Sequence, residues 1–412
     1  MASDHQGPLA RLRRGHEELV LRLLRTHGPL SRAELGRLSG LSRTTLYDIV
    51  VALMDGGAVV ATAPAPAERR RGRPVETLSL HPEAGQVIGV DFARRAVHVA
   101  AVNVAHEVIG SASEAHSADL GWEARADLAE RLVARLAGGS LRLGALSGVG
   151  VGVVGPVDDL SESSADDPSA GSSAPPGNTG NTGSTQRPSA PTRADLPVLL
   201  RKRFGVPVLV DNNTRLAALA EATWGAAAGV RDVLYLRLSH GVGGGLVTGG
   251  TLHRGAHGLS GEFGHITAEP DGRRCSCGKH GCLETVASIG AVLEAHGAVP
   301  DLPAFLSALP DDPVAVRVLE TVGTRVGTVL AAVCNAVGPD VTVLGGELAE
   351  AGPVLFRSVE RALLAHLMPI SRPRADLRAA ALGEAGGALG AIALVLHESP
   401  LLTHYPAPDS LE

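Results

Sequence analysis

Between residues 16 and 54, apolar side chains recur at helical spacing, with two interruptions at glycine. In His16–His27 (HEELVLRLLRTH), Leu19, Val20, Leu23 and Leu24 share one face. Gly28-Pro29 ends that run. Ser31-Arg32-Ala33-Glu34 has the residue types and spacing of a capping box. A second short helix therefore opens there, carries Leu35 and Leu38, and ends at Gly40. Ser42 is placed to cap a third helix reaching to about Met54, in which Leu46, Ile49, Val50 and Leu53 form a complete apolar stripe. That stripe leaves Arg43, Thr44, Thr45, Tyr47 and Asp48 facing outward near the helix start. Val59-Val60 and Thr77–Leu80 then read as short strands on either side of a loop from Pro64 to Pro74.

Beyond residue 86 the pattern changes to short apolar runs alternating with helical stretches, which predicts α/β architecture. Strands are expected at Val87–Asp91, Ala96–Val104, Glu107–Ser111, Ser147–Val154, Val206–Val210, Val233–Leu238, Gly245–Thr248 and Val341–Leu344. Helices are expected over Gly121–Ala137, from Asp211-Asn212-Asn213 to about Ala227, and over 285–296, 314–337, 352–366 and 385–396. Residues 161–192 break the pattern: their 32 positions hold 8 Ser, 5 Pro, 4 Gly, 4 Thr and 2 Asn, and no Ile, Leu, Val or aromatic residue. Such a segment cannot bury enough to offset its ordering entropy. It reads as a disordered loop, about 158–192, inside a domain. The expected division is a first domain over 1–82, a larger α/β domain over 83–400 and a tail over 401–412.

Charge sharpens this division. Residues 1–80 hold 12 Arg and no Lys against 8 acidic residues, net +4, while the remainder holds 25 basic and 35 acidic, net −10. A basic head on an acidic body is the asymmetry expected where one end meets a polyanion. Four cysteines in 412 residues exclude a disulfide scaffold. No run reaches the length of a membrane span, and Asp4, Glu17 and Glu18 interrupt any signal-peptide pattern. The expected compartment is the reducing cytoplasm, with no membrane partner.

Two constellations carry chemistry. The first is the head: three short helices with tight glycine turns form a helix-turn-helix pattern, followed by a wing. Ser42, Arg43, Thr44, Thr45 and Tyr47, near the start of the third helix, are the candidate readers of base edges. Arg70, Arg71 and Arg73 in the wing loop, with Arg69 beside them, can neutralise phosphates or enter a minor groove. A small helical bundle with a charged, protein-binding hairpin is the rival reading. The second is Cys275-Ser276-Cys277-Gly278-Lys279-His280-Gly281-Cys282, with His265 ten residues before it. Three thiolates and an imidazole make a tetrahedral zinc set, in which His265 and His280 compete as the fourth ligand. Cys334 lies in a helical pattern and reads as core.

Gly261-Glu262-Phe263-Gly264-His265, CSCGKHGCLE over 275–284 and Thr285-Val286-Ala287-Ser288 together resemble the signature of the ROK family of repressors, uncharacterised reading frames and sugar kinases. The resemblance extends to SHGVGGG over 239–245 and VTVLGGE over 341–347, and covers most of 86–396 outside the Ser/Pro/Gly loop. Gly72-Arg73-Pro74 resembles the wing of the family's regulator branch. The resemblance implies an actin-like ATPase (ribonuclease H-like), two-lobed sugar-kinase fold preceded by a winged helix-turn-helix. It implies His265, Cys275, Cys277 and Cys282 as ligands of a structural zinc, with the metal loop over 265–282. It also implies Asn212, Asn213, Glu262, His265 and Glu284 as the sugar contacts, with His265 facing zinc through one nitrogen and sugar through its other side. Carboxylates suit vicinal hydroxyls as hydrogen-bond acceptors.

The chain departs from the kinase pattern twice. The family's catalytic base is an Asp, and the matching position here is Asn213, whose amide cannot accept a proton. The family's first phosphate loop, Asp-x-Gly-Gly-Thr, is replaced by Asp91-Phe92-Ala93-Arg94-Arg95, which has no glycine. The Pro-Pro-Asn-rich sugar-contacting segment survives only as a faint Pro175-Pro176-Gly177-Asn178. The expected function is a sugar-responsive, DNA-binding transcriptional repressor of carbohydrate-metabolism genes, not an enzyme. Its partners would be operator DNA and a sugar or sugar-derivative effector, and it would act as a homodimer or homotetramer. The alternatives are an active ATP-dependent sugar kinase and a regulator that senses a protein partner.

Overall fold

The structure, a computed structural model, describes residues 8–62, 76–82, 85–139, 141–157 and 192–398. The Ser/Pro/Gly segment, the wing arginines 69–71 and 73, and the tail expected over 401–412 lie outside the described residues.

The first elements are helices α1 (Pro8–His27), α2 (Arg32–Ser39) and α3 (Arg43–Asp55), with strands β1 (Leu30–Ser31), β2 (Val59–Thr62) and β3 (Thr77–Leu80). Helix α1 begins well before His16, because a proline in its first turn has no amide to lose and Gly15 is tolerated within it. Ser31 and Glu34 form the capping box in both directions. Ser42 accepts from the Thr45 amide at the start of α3. The α3 stripe is buried as its spacing requires, packing with Val20, Leu24, Leu35, Leu78 and Leu80. The strands form a three-stranded antiparallel sheet in the order β1-β3-β2.

The larger part holds two five-stranded sheets with the same internal design. The first contains β4 (Gln86–Phe92), β5 (Ala96–Asn103), β6 (Val108–Ala115), β7 (Leu146–Val153) and β8 (Val208–Asn212), in the order β6-β5-β4-β7-β8. Helices α4 (Trp122–Ala137) and α5 (Leu196–Phe204) accompany it, and α6 (Asn213–Thr223) follows β8. The second sheet is built from β9 (Val233–Leu238), β10 (Val242–Thr248), β11 (Thr251–His253), β12 (Val341–Gly345) and β13 (Leu377–Ala379), in the order β11-β10-β9-β12-β13. Each sheet has three antiparallel strands and then two joined in parallel. Helices α7 (Glu284–Ala287), α8 (Ile289–His296), α9 (Leu302–Ala308), α10 (Pro313–Val337) and α11 (Pro353–His366) cover the second sheet.

Helix α12 (Gly386–Glu398) lies against α6, β4, β5 and β7. Glycines allow this close approach: a Cβ on Gly89 or Gly150 would collide with α12 backbone, and one on Gly390 with the Leu216 carbonyl of α6. Each lobe has its own apolar core, and the α6–α12 pair carries further clusters between them.

The sequence expectations differ from the structure at several edges. The helix after Asn213 stops at Thr223 and not near Ala227, since Trp224 leaves helical geometry ahead of Gly225. The helix expected over 285–296 is two helices. Ser288, extended at φ −74° and ψ 155°, turns its hydroxyl to the Ala291 amide and starts a new one. Helices α5 and α9 and strands β11 and β13 were not expected from the pattern, being short or weakly periodic.

Candidate functional site

Arg43, Thr44 and Tyr47 stand exposed on the first turns of α3, Tyr47 at 58%. Ser42 and Thr45 are tied to each other, with their hydroxyl oxygens 2.8 Å apart. Both therefore serve the helix cap as well as the surface. The guanidinium of Arg32 lies 5.6 Å from the Tyr47 ring centroid and also pairs with Glu76. Arg32 was missed by sequence reasoning, because nothing in its spacing to Tyr47 marks a cation–π pair. Of the predicted wing contacts, Arg70, Arg71 and Arg73 lie outside the described residues.

The sharpest cluster is His265, Cys275, Cys277 and Cys282, whose donor atoms all lie within 4.8 Å of one another. His265 sits on a short 3-10 turn, Phe263–His265. The three cysteines lie on a loop held by bridges between Thr267 and Cys282 and between Arg274 and His280. Cys277 Sγ and Cys282 Sγ are 3.6 Å apart, and so are Cys275 Sγ and His265 Nδ1. A disulfide needs about 2.05 Å between sulfurs. The edges of a tetrahedron around zinc are about 3.8 Å for two sulfurs and about 3.5 Å for sulfur and nitrogen. The cluster therefore fits a tetrahedral metal and not a disulfide. His280 is exposed and stands outside the cluster. Burial and the neighbouring sulfurs push the Cys282 thiol up to about 12. A bound cation would reverse that by displacing the proton.

The candidate effector residues border this loop. His265 Nε2 lies 3.9 Å from Glu262 Oε2, so the ring turns one nitrogen to the cysteines and the other to a carboxylate. Glu284 accepts from the Val242 amide at 3.0 Å and from the Ser276 hydroxyl at 3.4 Å. Asn212 caps α6: its Oδ1 accepts from the amides of Thr214 and Arg215, and its Nδ2 donates to the Gly155 carbonyl. Thr214 Oγ1 donates to the Gly244 carbonyl, and the Gly244 amide donates to the Gly261 carbonyl. This short chain of bonds joins Asn212 to the residue preceding Glu262. Asn213, by contrast, is buried and donates through Nδ2 to Asp91 Oδ1 at 3.1 Å.

That last bond decides the chemistry at the start of α6. Asp91 is buried, and burial raises its pKa against the opposing pull of Arg237, His98 and the Asn213 amide. Asp211, the carboxylate two residues before Asn213, is 1% exposed and held by Arg215 and Arg254. Neither is placed as a free base. Gly244 and Gly245 lie within β10, where a Cβ would strike the Tyr235 carbonyl or the Arg215 backbone. They serve close packing. Gly345-Gly346, with Gly346 at φ 90°, line a groove of about 190 Å³ shared with Arg237, Glu347 and Glu384. Pockets for small molecules usually hold ~300–1,000 Å³. Burial works against the Arg237 charge, yet Tyr235, Glu347 and Asp91 together raise its pKa.

The ROK family model matches residues 87–398. The DNA-binding transcriptional repressor Mlc of Escherichia coli (strain K12) is 26% identical over 390 residues, covering 90% of this chain and 90% of its own length. A glucokinase of Halalkalibacterium halodurans is 34% identical, but over 211 residues, 46% of this chain; the chain spans 64% of that enzyme's length. Among solved structures, a ROK family transcriptional regulator described as a homolog of the E. coli Mlc protein matches with a TM-score of 0.71 and 24% identity, over 95% of this chain and 98% of its own. At that identity the likeness is one of fold. No helix among the described residues is long and apolar enough to cross a membrane.

Proposed function

The chain belongs to the ROK family, and from that premise we propose that it is a sugar-responsive, DNA-binding transcriptional regulator, a repressor of carbohydrate-metabolism genes. The observation that carries this reading is the extent of the likeness. The repressor Mlc aligns over nine-tenths of both chains, head included, whereas the glucokinase aligns over less than half of this one.

In this reading residues 1–82 are a winged helix-turn-helix and 83–400 a kinase-like sensor. Arg43, Thr44 and Tyr47 read the major groove of an operator, supported at the helix start by Ser42 and Thr45. Arg70, Arg71 and Arg73 contact phosphates or the minor groove. A homodimer or homotetramer would match a two-fold operator. Glu262, His265 and Glu284 hold sugar hydroxyls beside Asn212 and Asn213. The metal is a structural zinc on His265, Cys275, Cys277 and Cys282. It fixes the loop that carries Glu262 and Glu284 and takes no part in hydrolysis. The body does not transfer phosphate, because Asn213 cannot act as a base and is bonded to Asp91.

Capture of genomic fragments by the purified protein, with and without glucose, xylose and N-acetylglucosamine, tests the reading. Recovery of one inverted repeat, lost in the presence of one sugar and lost in Arg43→Ala without loss of sugar binding, is expected. Diffuse, salt-sensitive binding that no sugar alters would refute it.

A further inference from the structure

The head and the effector motif meet opposite ends of α6, and both reach the last turn of α12. Helix α6 begins at Asn212-Asn213 and closes at Trp224, an 11-residue rod of about 16 Å. At its far end the Trp224 indole donates to His106 Nδ1 at 3.2 Å, with the rings 5.3 Å apart and edge-on. His106, in the turn between β5 and β6, holds φ at +68°, a conformation rare outside glycine. Its Nε2 meets the carbonyl of Arg25 in α1, and its ring stacks beneath Gly28, where a Cβ would be crowded.

Helix α12 runs alongside α6 and makes a second connection. Its Val395 carbonyl accepts from Arg25 Nη2 at 2.8 Å, and Arg25 is 4% exposed. Its last residue, Glu398, is gripped by both Nη atoms of Arg254 at 2.7 and 3.0 Å. The Nε of the same Arg254 bonds Asp211, the residue before the effector asparagines. One guanidinium thus ties the effector motif to the end of the helix on which the head rests. A bidentate pair of this kind fixes geometry as well as charge.

We propose that sugar occupancy at the effector motif reaches the DNA-binding head through the α6–α12 pair, with Arg254, Glu398, Trp224, His106 and Arg25 as its positioning residues. The proposal rests on the sugar-sensing reading above. Packed helices joined by glycine contacts move as units, so a small shift at Asn212 is carried to both ends.

The chain has two tryptophans, Trp122 and Trp224. In a Trp122→Phe background, Trp224 emission therefore reports the joint alone. Glucose, xylose and N-acetylglucosamine are titrated into this protein and into its Glu398→Gln and Glu398→Asp derivatives, with binding read separately by calorimetry. The operator fragment from the capture experiment is followed in parallel. The sugar that binds is expected to shift Trp224 emission and weaken operator binding, by a factor within the roughly 5- to 150-fold typical of allosteric coupling. Glu398→Gln should bind that sugar within twofold of the parent and lose both responses, and Glu398→Asp should recover part of them. A full response in Glu398→Gln, or sugar binding with Trp224 unmoved, overturns the proposal. If calorimetry finds no sugar bound, the sensing reading fails first and the proposal with it.

Discussion

A cysteine cluster is legible in sequence because its chemistry is short-range: three sulfurs within eight residues can reach one ion whatever the fold around them. The choice of His265 over His280 depends on tertiary placement, and local spacing left it open. Asp211 shows the limit more plainly. Its i, i+4 relation to Arg215 is visible in the string, but Arg254 comes from a separate loop and carries no local mark. Two predictions belong at this scale. Cys282→Ser should remove the metal and cost about 3 kcal/mol of stability, read by zinc release and urea unfolding, because a buried ligand and its metal go together. A chelator should reproduce the loss and weaken sugar binding with it. An unchanged unfolding midpoint after metal removal would deny zinc its structural role. In the proposed reading Asn213→Asp restores the side-chain type of a base but adds no glycine to Asp91-Phe92-Ala93-Arg94-Arg95. Sugar-dependent ADP release should stay at background in both the parent and this variant, and turnover in the parent would reinstate the kinase reading.

At the scale of elements, the ends of α2 and α3 were readable to within a residue or two, whereas the start of α1 and the end of α6 were not. Ser31, Gly40, Ser42 and the Leu46–Leu53 stripe each act within their own helix. Weakly patterned elements such as α5 and β13 exist because neighbours demand them, and α12 is apolar on every face because it is buried on every face. The joint between α1 and α12 was invisible in sequence, since His106, His397, Arg25 and Trp224 are far apart along the chain. Burial pushes the His106 pKa down to about 4, helped by His27 and Arg25 and opposed by its bond to the Arg25 carbonyl. Burial likewise takes His397 to about 4, with His106, His27 and Arg25 adding to it and the Thr26 backbone opposing. Burial, Arg231 and Arg37 also lower the pKa of His27. Folded values below the ordinary 6.5 mean that the docked joint holds neutral rings. Its stability is therefore full above about 6.5 and is lost progressively as pH falls toward 4. Trp224 emission should follow that fall, with a smaller slope in His397→Leu. An emission flat from pH 7 to pH 4 would contradict this account of the joint.

At the scale of the molecule, two sheets of one design face each other across α6 and α12, with a basic head docked at one end. The α/β class was readable from alternating strands and helices, and the charge asymmetry pointed to a polyanion. The duplicated strand order was not readable, because topology leaves no residue signature. In the proposed reading the body is an interpreter that joins a sugar site to a reading helix. Linkage then imposes a reciprocity, for if sugar weakens operator binding by some factor, operator must weaken sugar binding by the same factor. Calorimetric titration of the sugar that binds into the protein, free and then saturated with its operator fragment, reads that factor directly. The predicted result is weaker sugar binding to the DNA-bound protein, by the ratio seen when sugar is added to the operator complex. Equal affinities in the two titrations would show that sugar and DNA bind independently, and would contradict a sugar-responsive regulator.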